Sequence, residues 1–348
     1  MINILEELKK YKSLSIVGNY KNVGKTTTLN YILNKAKGHI TLGLTSIGVD
    51  GEKEDKVTKT KKPRIYVNKG SILATAKNCV IKSDITREIL EVTDIHTPLG
   101  RVIIFKALSD GYIELAGPSR NSGIKYISDR LINLGCDLVI VDGALSRKTL
   151  ASPSITDATI YCTGAILNSD INKVVEQTVF EVDMMNIENI DDIKLNSIYN
   201  EIDKFKVCII NKDYSYKNLD LKTTLNSQDK IIENLDENSK YIFVNGIIVN
   251  SFIENLIKTS DGYKHNTILV KDGTKIFLDK LVYDKFIELG GCIKSIDKIN
   301  LLGISINPTS ITGYNFDSNE LQNKLRDNLQ IPVFDVYKLE EIDLGVNL

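Results

Sequence analysis

Short apolar runs alternate with stretches of helical period through most of the chain, the pattern of an α/β protein. "LSIVG" (14–18) reads as a strand, and 26–36 as a helix ending near Gly38. "HITLGLTSIG" (39–48) predicts a second strand. The run after it, "VDGEKEDKVTKTKKPR" (49–64), is charged and has no apolar period, which predicts a mobile loop. "GRVIIFKALSDGYIELAG" (100–117) sets two apolar runs around Ser109-Asp110-Gly111 and predicts a hairpin. "NSGIKYISDRLINLG" (121–135) gathers isoleucines and a leucine on one helical face. In "CDLVIVDGAL" (136–145) the continuous apolar run 138–141 predicts a strand buried on both faces, as in parallel sheets. "ATIYCTGA" (158–165) predicts another strand, followed by a helix over about 169–185.

The stretch 186–204 is acidic and polar, and it marks the expected boundary between a first α/β domain, 1–190, and a second, smaller α/β domain, 205–348. Beyond it the alternation resumes. Strands are expected at "FKVCIIN", "KYIFVNGIIV", "NTILV", "TKIFL", "INLLGISIN" and "VFDVY", with helices at "SFIENLIKT", "DKLVYDKFIELGG" and "NELQNKLRDNL". The fold expected for the first domain is a mostly parallel sheet flanked by helices.

Charge narrows the partners. With 44 basic and 45 acidic residues the net charge is -1, so no basic surplus exists to neutralise a phosphate backbone, and nucleic acid is not expected. The opening "MINILEELKKYK" reads as a short amphipathic helix without the apolar core of a signal peptide. No apolar run is long enough to cross a membrane. The five cysteines are far apart and form no CxxC, which suits reduced thiols in the cytoplasm.

Chemistry concentrates in "SIVGNYKNVGKTTTLNYIL" (15–33). Gly18, Gly24, Lys25 and Thr26 lie between a predicted strand and a predicted helix. There, successive backbone N–H groups and the helix N-terminus can hold a triphosphate. Lysine reaches the β/γ oxygens, and the threonine hydroxyl completes a Mg²⁺ shell. The 1–190 domain is therefore expected to be a nucleotide-binding domain with the fold of a P-loop NTPase. Its expected nucleotide-binding residues are Gly18, Asn22, Val23, Gly24, Lys25, Thr26 and Thr27, with ATP and Mg²⁺ as cofactors. Five residues, 19–23, separate the two glycines where the usual motif has about four.

Hydrolysis also needs a carboxylate on the metal. Asp142, at the end of "LVIVD", is the candidate catalytic partner of Lys25, and Thr26, Asp142 and Asp50 are the candidate metal residues. Asp50 and Glu52 follow the second strand in "IGVDGE", where a solvated turn is the alternative. Ser119, Arg120 and Asn121 stand in a strand-to-helix loop and are candidates to touch a ligand at a strand tip, with an ordinary loop and helix cap as the alternative. Arg147, Lys148 and Lys62 are expected as mobile cations near the site, with a solvated charge as the alternative for each. "CIINKD" falls one residue short of the guanine-reading motif, because Asp213 follows Asn211 by two places. ATP is therefore expected over GTP.

The loop "GNYKNVGKT" resembles that of dethiobiotin synthetase, the cobyrinic acid amidating enzymes and the MinD/ParA-type ATPases. It departs from those ATPases at Tyr20, where many carry a second lysine. Across 13–165, Asp142-Gly143-Ala144 with Arg147, Ala151-Ser152-Pro153 and Thr163-Gly164-Ala165 resemble the accessory reactivases of lysine 5,6-aminomutase. That resemblance implies an ATP-dependent reactivating factor whose protein partners are a cobalamin-dependent aminomutase and a second reactivase subunit. The alternatives are an ATP-dependent small-molecule ligase of the dethiobiotin synthetase type and a nucleotide-gated binding module with little turnover.

Overall fold

The computed structural model describes residues 4–18, 20–48, 65–143, 148–224, 227–259 and 261–343. The chain divides into two compact units. One comprises Met1–Val179 together with Asn300–Leu348, and the other Phe180–Ile299.

The first unit is built on a sheet of nine strands among the described residues. In spatial order these are Val333–Phe334, Leu301–Asn307, Ala158–Gly164, Ser13–Val17, Leu138–Asp142, Leu42–Ser46, Ile72–Ala76, Gly100–Ala107 and Arg87–Thr97. From the first to Ile72–Ala76 every neighbouring pair is parallel, and the last two pairs are antiparallel. Both faces of the central strands are covered: Ser13–Val17, Leu42–Ser46 and Ala158–Gly164 are buried at every position, their serines and threonines included. Ser13–Val17 lies in the middle, and its core contacts include Leu29, Ile32 and Leu33 of the helix Lys25–Ala36. The outermost strand, Arg87–Thr97, is mostly exposed or half-buried, and register shifts interrupt its pairing twice, which blunts a free sheet edge.

The second unit has its own sheet, ordered Tyr216–Asn218, Val207–Asn211, Ser239–Val244, Thr267–Val270 and Cys292–Ser295. Alternate residues of Val207–Asn211 feed two cores. Val207 and Ile209 pack with Phe252, Leu256 and Phe286, whereas Cys208 and Ile210 pack with Leu195, Ile202 and Phe243.

Three expectations need correction. The domain boundary does not hold, because 300–348 returns to the first unit and Leu301–Asn307 pairs with Ala158–Gly164. A strand buried at all positions requires a neighbour on each side, and Ala158–Gly164 finds its second one across an insertion of 120 residues, 180–299. Within the stretch 186–204 lies the helix Ile193–Ile202, capped by Asp192. The hairpin expected at 100–117 is also absent: Gly100–Ala107 pairs with Arg87–Thr97, and Gly111–Ile113 pairs with Ile65–Val67 in a separate two-stranded sheet. Finally, "VFDVY" is a strand only at Val333–Phe334, and a helix begins at Val336. Among the described residues no helix is long and apolar enough to cross a membrane.

Candidate functional site

Gly18 closes the central strand, and the helix begins at Lys25. A Cβ on Gly18 would lie 2.7 Å from the Cys162 carbonyl oxygen and 2.8 Å from Val23 Cγ2, so this position has no room for a side chain. Val23 is fully buried and anchors the loop from inside. On either side of it Asn22 (φ 59°) and Gly24 (φ 95°) are left-handed. Asparagine tolerates that region better than most residues, and glycine enters it without strain. These two residues turn the chain into the helix, where Thr26 and Thr27 are half-buried in the first turn.

Lys25 reaches back across the loop and donates a hydrogen bond to the Tyr20 carbonyl at 2.7 Å. Burial lowers its pKa from the ordinary lysine value, opposed by the nearby Cys162 and Asp142. Asp142 stands at the carboxyl end of the adjacent parallel strand, in register with Ile16. The strand tips are tied together there: the Gly143 N–H donates to the Ile16 carbonyl and the Ile47 N–H to the Asp142 carbonyl. The structure thus brings Gly18, Asn22, Val23, Gly24, Lys25, Thr26, Thr27 and Asp142 to the carboxyl-terminal edge of the sheet, where open α/β sheets take ligands.

The side chains behind the loop were not singled out in the sequence. Thr28, fully buried, donates from Oγ1 to the Gly24 carbonyl at 2.9 Å and lies 2.7 Å from Ser305 Oγ and 3.6 Å from Cys162 Sγ. The third threonine of "KTTT" therefore ties the helix start to the strand two places away. Cys162 is completely buried, and its thiol is pushed up to about 11 by that burial. Asn307, at the end of the same returning strand, donates from Nδ2 to the Asn22 carbonyl at 2.8 Å. The only signal for Ser305 and Asn307 was a strand ending in polar residues; their place beside the loop depends on pairing across the insertion.

Asp50 and Glu52, with Lys62 and Arg147, lie outside the described residues, as does the charged loop 49–64. Ser119 and Arg120 lead into the helix Asn121–Asn133. The loop before them crosses the Leu42–Ser46 strand tip so tightly that a Cβ on Gly117 would lie 1.9 Å from the Ser46 carbonyl oxygen. Lys148 begins a short 3-10 helix, Lys148–Ala151. In the second unit, Asn211-Lys212-Asp213 forms a tight turn in which Asp213 accepts from the N–H and hydroxyl of Ser215 and Tyr214 is left-handed (φ 67°), matching the strand-ending turn read from the sequence. Among the described residues no group of three or more His, Cys, Asp and Glu gathers to hold a metal ion. Among the described residues, Thr26 and Asp142 are the candidate oxygen donors for a cation here. Comparison of this chain with family models, with curated proteins and with solved structures finds no match.

Proposed function

We propose that this chain binds ATP with Mg²⁺ at the turn from Gly18 to Thr26 and hydrolyses it while acting on a protein partner. One observation carries the reading: Lys25, at the start of the helix that follows a glycine-bounded loop, and Asp142, at the tip of the strand beside Ser13–Val17, are close enough to influence each other's charge. A nucleoside triphosphate needs a fixed cation, backbone donors at a helix N-terminus and a carboxylate for its metal within one small volume. The hydroxyl of Thr26 and the carboxylate of Asp142 are hard oxygen donors, which suits Mg²⁺. The metal would supply neutralisation of charge on the β and γ oxygens. Lys25 would exchange its bond to the Tyr20 carbonyl for phosphate oxygens, and Asp142 would orient the metal's water shell.

The partner reading rests on the resemblance of 13–165 to aminomutase reactivases, with the second unit as the surface for a cobalamin-dependent aminomutase. A ligase would require a second, fixed set of cations for a small acid, and no described residues favour one. The test has two stages. Lys25→Ala should lower ATP affinity by roughly 100-fold in calorimetry with an unchanged melting curve, since the lysine serves phosphate charge. Asp142→Asn should still bind nucleotide but hydrolyse it roughly 100-fold more slowly. Basal hydrolysis should be slow and rise with an inactivated cobalamin-dependent aminomutase and a second reactivase subunit present. Unchanged affinity in folded Lys25→Ala overturns the nucleotide reading; brisk turnover with a diamine or carboxylate alone replaces the partner with a small molecule.

A further inference from the structure

The loop between Gly18 and Lys25 contains a left-handed residue that is not glycine. Asn22 adopts φ 59°, and the residue after next, Gly24, adopts φ 95°. A short loop with side chains at such positions has other conformations available, so something must select this one. Its own sequence neighbourhood supplies the buried Val23, the Lys25 bond to the Tyr20 carbonyl and the Thr28 bond to the Gly24 carbonyl. Further contacts come from the end of the chain. Asn307 Nδ2 donates to the Asn22 carbonyl at 2.8 Å, while Asn307 Oδ1 accepts from the Thr309 N–H at 3.2 Å. With one end of the amide accepting from its own loop, the other is left to donate to Asn22. Gly24 and Gly164 both make room for this residue: a Cβ on Gly24 would lie 3.3 Å from Asn307 Cβ, and one on Gly164 2.3 Å from the Asn307 carbonyl oxygen. Two residues earlier, Ser305 Oγ meets Thr28 Oγ1 at 2.7 Å, fixing the same strand to the first turns of the helix. The Asn307–Phe316 segment is held in turn by Tyr314, whose hydroxyl donates to the Ala165 carbonyl at 2.7 Å.

We infer that Asn307 is a positioning residue for phosphate binding: its amide holds the Asn22 carbonyl, and with it the backbone from Asn22 to Lys25, in the shape that receives phosphate. It acts through the loop and not on the base of a nucleotide. The inference rests on the proposed phosphate role of this turn. Its consequence is that the loop is set by a strand that joins the sheet only after the 180–299 unit has been threaded into the chain.

Asn307→Asp is the informative variant. It keeps shape and the acceptor for Thr309 but, ionised, presents an oxygen to the Asn22 carbonyl where a donor stood. Binding of Mg·ATP and of Mg·tripolyphosphate, which has no base, is measured by calorimetry on the full chain, with melting curves and hydrogen exchange of the peptide 20–27. We expect both ligands to weaken by about the same factor, roughly tenfold or more, with amide exchange in 20–27 faster even without ligand. Asn307→Gln, which still donates, should recover part of the loss. A loss confined to ATP assigns Asn307 to the base and overturns the inference, as do unchanged affinities and exchange in a folded variant. If wild type binds neither ligand, the phosphate reading itself falls and the latch with it; wild-type binding with an indifferent variant refutes the latch alone.

Discussion

At the scale of single residues, the buried thiols of each unit set a testable pH limit. Cys136 and Cys208 are pushed up to about 12 and Cys162 to about 11, in each case chiefly because burial disfavours the thiolate. A thiol unfolds to its ordinary value of 9.0, so below that pH both states keep the proton and the thiols add no pH dependence. As pH rises from 9 the unfolded chain releases protons that the folded chain retains, and stability falls until the folded pKa values are passed. The urea midpoint should therefore drop between about pH 8.5 and 10.5, and Cys162→Ala should flatten part of that slope. Lys25 works in the opposite sense, since its lowered pKa makes the unfolded chain the better proton binder below the ordinary lysine value. A slope that Cys162→Ala leaves unchanged would mean that this thiol is hydrated in the native state. The residue-level signals in the sequence were legible where the backbone demand was local. Gly24 and Asn22 occupy left-handed backbone and Gly18 a position without room for a Cβ. Thr28 was the exception, because nothing adjacent in sequence reveals that its hydroxyl faces Ser305.

At the scale of elements, close backbone crossings decide where the strand tips sit. Gly117 carries the chain over the end of Leu42–Ser46, and Gly48 donates its N–H to the Pro118 carbonyl at 2.8 Å just beyond. The obstacle to a side chain on Gly117 is backbone, which cannot rotate away as a long side chain would. Gly117→Ala should then destabilise the first unit by about 1–3 kcal/mol or more, read as a lower denaturant midpoint with an unchanged slope. A variant as stable as wild type would show that the crossing is looser. Elements with a strong period were legible: Asn121–Asn133 and Leu138–Asp142 lie where the pattern placed them. The strands Ile65–Val67, Ile72–Ala76 and Arg87–Thr97 were not, and each for a physical reason. The first is three residues long, the second is diluted with Ala and Thr, and the third is an edge strand whose exposed, bulged face carries little apolar alternation.

At the scale of the whole molecule, one unit is inserted between two strands that are neighbours in the other. The 180–299 unit has its own sheet and a core on each face of it, so as an isolated fragment it should fold cooperatively, with a single thermal transition by circular dichroism. A chain ending after Ile299 should do worse. It would leave Ala158–Gly164, buried along its entire length, as an open apolar edge, and would be recovered mainly as aggregate. Soluble, monomeric 1–299 that binds Mg·ATP like the full chain would count against this view of the sheet, and against the role given to Asn307.

The sequence by itself determined the α/β class, the strand, glycine-bounded turn and helix around 14–36, and the polar end of the strand carrying Asp142. Those features arise from side-chain period and backbone permissiveness within a few residues of each other, which is the range over which a sequence pattern is also a spatial pattern. Tertiary structure alone decided that Asp142 stands in register with Ile16, that the run 100–117 is divided between two sheets, and that Ser305 and Asn307 close the loop from the far end of the chain. Strand pairing is a choice among distant partners of similar apolar character. It is settled by which arrangement buries both faces of every central strand at once, a condition that no single stretch of sequence contains.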